Sequence, residues 1–338
     1  MRITDSTEGL AGVEAERRIL VRGGFGPRAW RRDLAVDVRE GLGQRPFTLP
    51  PKYLYDARGS RLFEDITRLP EYYPTRTERA ILRRAASGLL SSIEPSALVE
   101  LGAGSAGKTE VLLSEGVRQG VLRGYAALDV SPAAVRGAVG RLTDLYPTLK
   151  LIGLVDDFES DGALPFDGKR RLVLFLGSTI GNLSPPDALG FVRSIRQRLG
   201  PADGFLVGFD LVKDPSRLVA AYDDAQGVTA AFNKNVLRVL NAHLDADFDT
   251  ERFEHRALWN ESAARIEMHL VAQTNQVMRI RSLEMRVELT RGESIRTELS
   301  HKYTRSTATG LLERGGFGVV RWDTDPENLF AVALARPV

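Results

Sequence analysis

Residues 97–119 read ALVELGAGSAGKTEVLLSEGVRQ: a short apolar run, a loop with three glycines, then a stretch with helical spacing. A strand that turns through glycines into a helix brings backbone N–H groups together at the helix N-terminus, where ligands are held. The same alternation repeats downstream. GYAALDVS (124–131) and LKLIGLVDDF (149–158) read as strands, RRLVLFLGS (170–178) as an apolar central one and GFLVGFDLV (204–212) as a fifth. Helical stretches separate them, with ordinary boundary signals. Ser131–Pro132 opens one, and Ser184 with Asp187 opens another that closes at Gly200. This order predicts an α/β fold, a Rossmann-like doubly wound parallel sheet. A helix at 305–315 and two runs, FGVVRWDT and NLFAVALA, read as a closing hairpin at its edge.

The alternation breaks in the middle of the chain. Residues 213–243 read as two helices, and 263–302 as three antiparallel strands, ARIEMHLVAQT, SLEMRVELT and ESIRTELSHKY. Upstream, 33–42 and 75–93 have helical spacing. The segment 48–78 is rich in Pro, Gly and Tyr and reads as irregular chain around a short helix. The expected organisation is an N-terminal extension (1–30), an inserted α+β substrate-binding domain (31–76 with 211–302), and a cofactor domain (77–210 with 303–338). A cleft between the two units is where a substrate would lie.

Three nucleotide-site patterns overlap in ELGAGSAGKT. Gly102, Gly104 and Gly107 spell the dinucleotide fingerprint. Gly102, Gly107, Lys108 and Thr109 spell a phosphate loop. Glu100 adds the E-x-G-x-G of many S-adenosylmethionine (SAM) methyltransferases. The phosphate-loop reading needs a strand ending in a magnesium-binding acid, for which Asp210 could serve, but it sets Glu100 near a triphosphate. Asp129, at the end of the second strand, suits a ribose diol in either a dinucleotide or SAM. Glu100 favours SAM, which carries cations and no phosphate. Asp157 with Phe158 ends the third strand, an acid for an adenine amine beside a ring to flank the base. Each residue alone is equally consistent with a turn or a helix cap. Three acids at successive strand ends beside one glycine loop favour SAM, and a seven-stranded methyltransferase sheet with an antiparallel last strand.

Composition narrows the partners. With 46 basic and 44 acidic residues, the net charge of +2 gives no drive toward nucleic acid or an anionic membrane. The absence of cysteine excludes disulfides and thiolate chemistry. No apolar run is long enough for a membrane span, and MRITDSTEGL is too polar for a signal peptide, so a cytoplasmic monomer is expected. His243, His255, His269 and His301 are scattered, without metal-ligand spacing, so no metal is expected.

Five long blocks carry a resemblance. PPKYLYDARGSRLFEDITRLPEYYPTRTE, VELGAGSAGKT, LFLGSTIGNL, DLVKDPSRLVAAYDDAQGVTAAFNKNVL and RIEMHL together resemble the ergothioneine-pathway L-histidine Nα-methyltransferases, across roughly residues 33–338. The resemblance implies a class I SAM-dependent methyltransferase sheet with a separate substrate-binding domain. The implied activity is trimethylation of the α-amino group of L-histidine to hercynine, with SAM as co-substrate. It places Gly102, Lys108, Asp129, Asp157 and Phe158 at SAM, and Tyr55, Phe63, Tyr72, Asn182, Tyr222, Met268, Glu298 and Ser300 around histidine. It also implies that Asn182 and two tyrosine hydroxyls hold the amino-acid backbone while Glu298 and Ser300 hold the imidazole. Every one of these positions carries the expected residue type.

The residues suit those roles. Tyr72 and Tyr222 are neutral donors for a carboxylate, and the Asn182 amide can both donate and accept. Glu298 and Ser300 stand two apart on an expected strand, so both face one side. Taken alone, RTELS reads more readily as a solvated strand face. Tyr55 is the candidate catalytic residue, through a hydrogen bond to the amine or to a water. The faces of Tyr55 and Phe63 can stabilise a growing ammonium. The alternatives are an N-methyltransferase acting on tryptophan or a derivative, a NAD-dependent oxidoreductase, and a non-catalytic SAM-binding protein.

Overall fold

The computed structural model describes residues 18–21, 27–160 and 162–338. The rest of the expected N-terminal extension lies outside these residues. Arg18–Val21 is a strand (β1), and helix α1 spans Pro27–Gly43. After a single helical turn at Pro51–Leu54 come α2 (Ala57–Ile66) and α3 (Tyr73–Ile93). The α/β alternation then runs β2 (Ala97–Leu101), α4 (Glu110–Arg118), β3 (Gly124–Asp129), α5 (Pro132–Leu145), β4 (Lys150–Val155), β5 (Arg171–Phe175), α6 (Pro185–Gln197) and β6 (Gly204–Asp210). Boundary chemistry agrees with the sequence. Ser131 accepts from the Ala134 N–H, with Pro132 in the first turn, and Ser184 accepts from the Asp187 N–H.

Helices α7 (Pro215–Tyr222) and α8 (Val228–Leu244) follow, then five strands: β7 (Phe253–Asn260), β8 (Arg265–Ala272), β9 (Gln276–Ile280), β10 (Met285–Leu289) and β11 (Ser294–His301). The sequence suggests three strands here, and the structure adds β7 and β9. The strands form two small antiparallel sheets, β11-β8-β7 and β10-β9. The chain closes with α9 (Arg305–Arg314), β12 (Phe317–Thr324) and β13 (Phe330–Pro337).

The large sheet has the order β1-β4-β3-β2-β5-β6-β13-β12. Its seven strands from β4 to β12 are the class I methyltransferase sheet, with β13 inserted antiparallel between β6 and β12. Strand β1 pairs parallel with β4 and adds an eighth at the edge. Successive residues of a strand face opposite sides. Leu98, Leu172 and Leu174 therefore pack with Ile81, Leu112 and Val135 of α3, α4 and α5. Val99, Val173 and Phe175 pack with Phe191 of α6 and Leu311 of α9. A third apolar core joins Leu34, Val38 and Tyr53 to Leu218, Val236, Leu270 and Ile295. The segment at 47–49 completes the β11-β8-β7 sheet, where Leu49 N–H donates to the Arg296 carbonyl and Arg296 N–H to that of Phe47.

Candidate functional site

The glycine loop lies between β2 and α4, beside the C-terminal end of β3. Gly102 and Gly104 have positive φ (70° and 52°), and a Cβ built on either would meet no protein atom within 4 Å. Glycine is needed here for the turn, and its bare face is open to a ligand. Asp129 holds the loop: one carboxylate oxygen accepts from the Gly104 N–H (2.8 Å), the other from the Ser131 N–H (2.9 Å). Burial pushes its carboxyl up, and these two N–H groups pull it back.

Two side chains of the phosphate-loop pattern are already committed. The Lys108 ammonium donates to Glu78 at 2.6 Å, and this fully buried carboxylate also accepts from the Gly177 N–H. Thr109 donates to Glu100 at 2.5 Å. This geometry argues against a triphosphate, whose metal and oxygens need both groups free. It also corrects the electrostatic role expected for Glu100. That carboxyl is buried and accepts from Thr109 and Tyr125 (2.5 Å each), so it ties the loop to β3. Burial raises it to about 7, against the pull of those bonds.

Asp157 lies at the end of β4. With Trp30, Lys52, Tyr53 and Val130 it lines a cavity of about 340 Å³. Phe158 turns toward the core instead, against Phe175 (5.1 Å between ring centroids) and Phe191 (5.7 Å).

Around the expected substrate, aromatic rings make a continuous wall. Centroids lie 5.4 Å apart for Tyr55 and Phe63, 6.1 Å for Phe63 and Tyr72, and 6.2 Å for Tyr72 and Tyr222, all edge to face. Phe232 of α8 backs Tyr55 at 5.3 Å. The Tyr55 hydroxyl is pushed well above its ordinary pKa by burial, then by Glu298, the neighbouring tyrosines and Asp129. Tyr55 is therefore a neutral phenol near pH 7, within electrostatic reach of both Glu298 and Asp129. The link to the loop is also bonded: Ser60 donates to the Tyr55 carbonyl and lies 3.3 Å from the Ser131 hydroxyl.

Strand β11 carries the opposite wall. Its register shifts between Arg296 and Glu298, making a bulge at Thr297. Ile295 and Thr297 face inward before the bulge, and Glu298 and Ser300 after it. Thr297 donates to Asn233, whose amide donates to His255 Nδ1, and His255 Nε2 lies 2.8 Å from the Tyr222 carbonyl. A carbonyl only accepts, so Nε2 carries the proton and the ring is neutral. This chain anchors both the bulge and Tyr222.

Glu298 pairs with Met268 across the strands. Its carboxyl is buried, has no hydrogen-bond or ion-pair partner among the described residues, and is raised to about 7 by burial, with Lys302 opposing. Ser300 is not isolated. Its hydroxyl lies 2.8 Å from that of Tyr222, and Lys302 donates to both. Asn182 ends a turn at Thr179–Asn182 after β5. The turn packs on β11, with His301 Nδ1 donating to the Gly181 carbonyl at 3.0 Å. Sequence reasoning missed Lys302, Glu78, Phe232 and the Asn233–His255 pair. Each is defined by a partner far along the chain and leaves no local signal.

Residues 34–337 match the family described as histidine-specific, SAM-dependent methyltransferases. The chain is 46% identical over 303 residues to a histidine N-alpha-methyltransferase of Mycolicibacterium smegmatis, covering 89% of this chain and 94% of the relative. It is 42% identical over 318 residues to that of Mycobacterium tuberculosis, covering 94% and 99%. More distant is an L-tryptophan methyltransferase of Psilocybe serbica, 29% identical over 323 residues, covering 84% and 87%. The open glycine faces, the acids at the strand ends and the aromatic wall suit SAM beside an amine. The chain belongs to the histidine-specific SAM-dependent methyltransferase family.

Proposed function

We propose that this enzyme trimethylates the α-amino group of L-histidine, giving hercynine, the first step of ergothioneine biosynthesis. The carrying observation is Glu298: a buried acid with no hydrogen-bond or ion-pair partner among the described residues, beside Met268 and Ser300 and within electrostatic reach of Tyr55, Tyr72 and Tyr222. A buried carboxyl without a partner is costly, and an imidazole N–H satisfies it. An amino acid whose side chain offers no such group leaves it unpaired, which discriminates strongly.

SAM supplies the methyl group as a sulfonium, and Gly102, Gly104, Lys108, Asp129 and Asp157 are the residues that would hold it. Lys108 reaches the site with one N–H already on Glu78. Phe158, turned into the core, would support the adenine side by packing. Tyr72 and Tyr222 donate to the substrate carboxylate, and Asn182 bridges carboxylate and amine. Tyr55 is too weak an acid to act as a phenolate. It works as a neutral phenol that orients the amine lone pair, and most of the rate comes from this alignment. The wall of Tyr55, Phe63 and Tyr72 accommodates the cation that grows with each methylation. The unit holding 31–76 and 211–302 binds the substrate, and the enzyme works as a cytoplasmic monomer. Among the described residues, no helix is long and apolar enough to cross a membrane.

One incubation tests the reading: purified enzyme, excess SAM and either L-histidine or L-tryptophan, followed by mass spectrometry. Histidine should gain three methyl groups with release of S-adenosylhomocysteine. Methylation of tryptophan but not histidine would overturn the substrate assignment.

A further inference from the structure

Lys302 stands two residues beyond Ser300, and its side chain has no exposed surface. Its ammonium meets three acceptors: the Ser300 hydroxyl at 2.7 Å, the Tyr222 hydroxyl at 2.9 Å and Asp210 Oδ2 at 2.8 Å. Asp210, at the end of β6, is held in turn by Tyr73 and Lys213. A lysine ammonium has three protons and no lone pair, so these three bonds use it completely. Both hydroxyls therefore accept from Lys302. They also lie 2.8 Å from each other, and that contact uses one of their two protons.

We propose that Lys302 is a positioning residue for substrate recognition: it locks Tyr222 and Ser300 into a coupled pair with a single proton left for the substrate. This rests on the histidine reading above. A carboxylate can only accept, so the free proton goes to it from Tyr222. Ser300 then donates to Tyr222 and turns its remaining lone pair to an imidazole N–H. The imidazole is thus read by Ser300 as an acceptor. One lysine sets the polarity of two substrate contacts without touching the substrate.

Double-mutant cycles on the KM for L-histidine test this, with SAM affinity followed in parallel. Lys302→Met should raise the KM at least tenfold while SAM affinity changes less than threefold. In a Ser300→Ala, Tyr222→Phe background, the same change should add less than threefold, because the pair it polarises is gone. A merely structural lysine would cost the same in both backgrounds, and that result overturns the proposal. If Lys302→Met fails to fold, the cycle between Tyr222→Phe and Ser300→Ala still decides. A shared proton makes the double variant no worse than about threefold beyond the poorer single one, whereas independent contacts give multiplying effects and refute the coupling. A wild-type enzyme that binds SAM but leaves histidine unmethylated would overturn the substrate reading, and the proposal with it. Full histidine turnover with multiplying effects would overturn the proposal alone.

Discussion

Replacing Glu298 with Gln keeps the shape of a buried side chain that faces Met268 across β8 and β11 and has no partner among the described residues. Burial holds its carboxyl near 7. Against an ordinary glutamate near 4.3, that is about 4 kcal/mol of unfavourable ionisation at 1.36 kcal/mol per pH decade. A histidine N–H bonded to the carboxyl recovers an amount of this order, worth roughly five hundredfold in affinity. Gln retains a neutral hydrogen bond of roughly 1 kcal/mol, so the expected loss is roughly a hundredfold. The pH dependence is more diagnostic. Carboxyl and ring share one proton in the complex, and free imidazole titrates near 6.5. Above about pH 7 both free partners are deprotonated, so binding must take up a proton and wild-type affinity falls up to tenfold per pH unit. Glu298→Gln removes that alkaline arm. Calorimetric titration of histidine with S-adenosylhomocysteine present, from pH 6 to 8.5, measures both effects without the chemical step. A loss below threefold at pH 7, or an alkaline arm that persists in the variant, refutes the reasoning.

Three further outcomes are expected. Glu100 and Glu298 both have raised carboxyls, so their contribution to the stability of the ligand-free fold is fully present below about pH 4.3 and declines as pH rises through about 7. Melting curves between pH 5 and 8 should show this fall, and Glu100→Gln should flatten it; an unchanged slope would remove Glu100 as a cause. Gly208→Ala would set a Cβ 2.1 Å from the Glu78 carboxylate that holds Lys108 and Gly177. It should cost about 1–3 kcal/mol in denaturant unfolding and weaken SAM binding, and a variant with wild-type values in both would show that Glu78 is free to move. Tyr55→Phe keeps the ring contacts and removes the hydroxyl, so kcat should fall at least tenfold with the KM for histidine changed less than threefold. Unchanged turnover would take the Tyr55 hydroxyl out of the reaction.

What could be read from the sequence is what depends on neighbours along the chain. The strand–glycine–helix unit is local: apolar spacing, positive-φ positions and caps at Ser131 and Ser184 lie within a few residues of what they control. Strand β1 is not, because four residues at an edge form a strand only once β4 is beside them. Strand β7 puts His255 inside and Glu254 and Arg256 outside. An inward histidine hides the alternation until Asn233 and the Tyr222 carbonyl are there to satisfy it. The site divides the same way. The i, i+2 spacing of Glu298 and Ser300 puts both on one face, yet the bulge at Thr297 that turns this face inward depends on a hydroxyl bond to α8. The E-x-G-x-G pattern that sets Glu100 toward a ligand is local, whereas the bonds from Thr109 and Tyr125 that hold it are not. Lys302 is the sharpest case. In SHKY a lysine reads as a solvated residue, and only the Asp210 carboxylate at the end of another strand makes its burial tolerable. Residue identity therefore names the groups at the site, but long-range partners such as Asp210 for Lys302 and the Tyr222 carbonyl for His255 decide which of them carry protons and which way their bonds run.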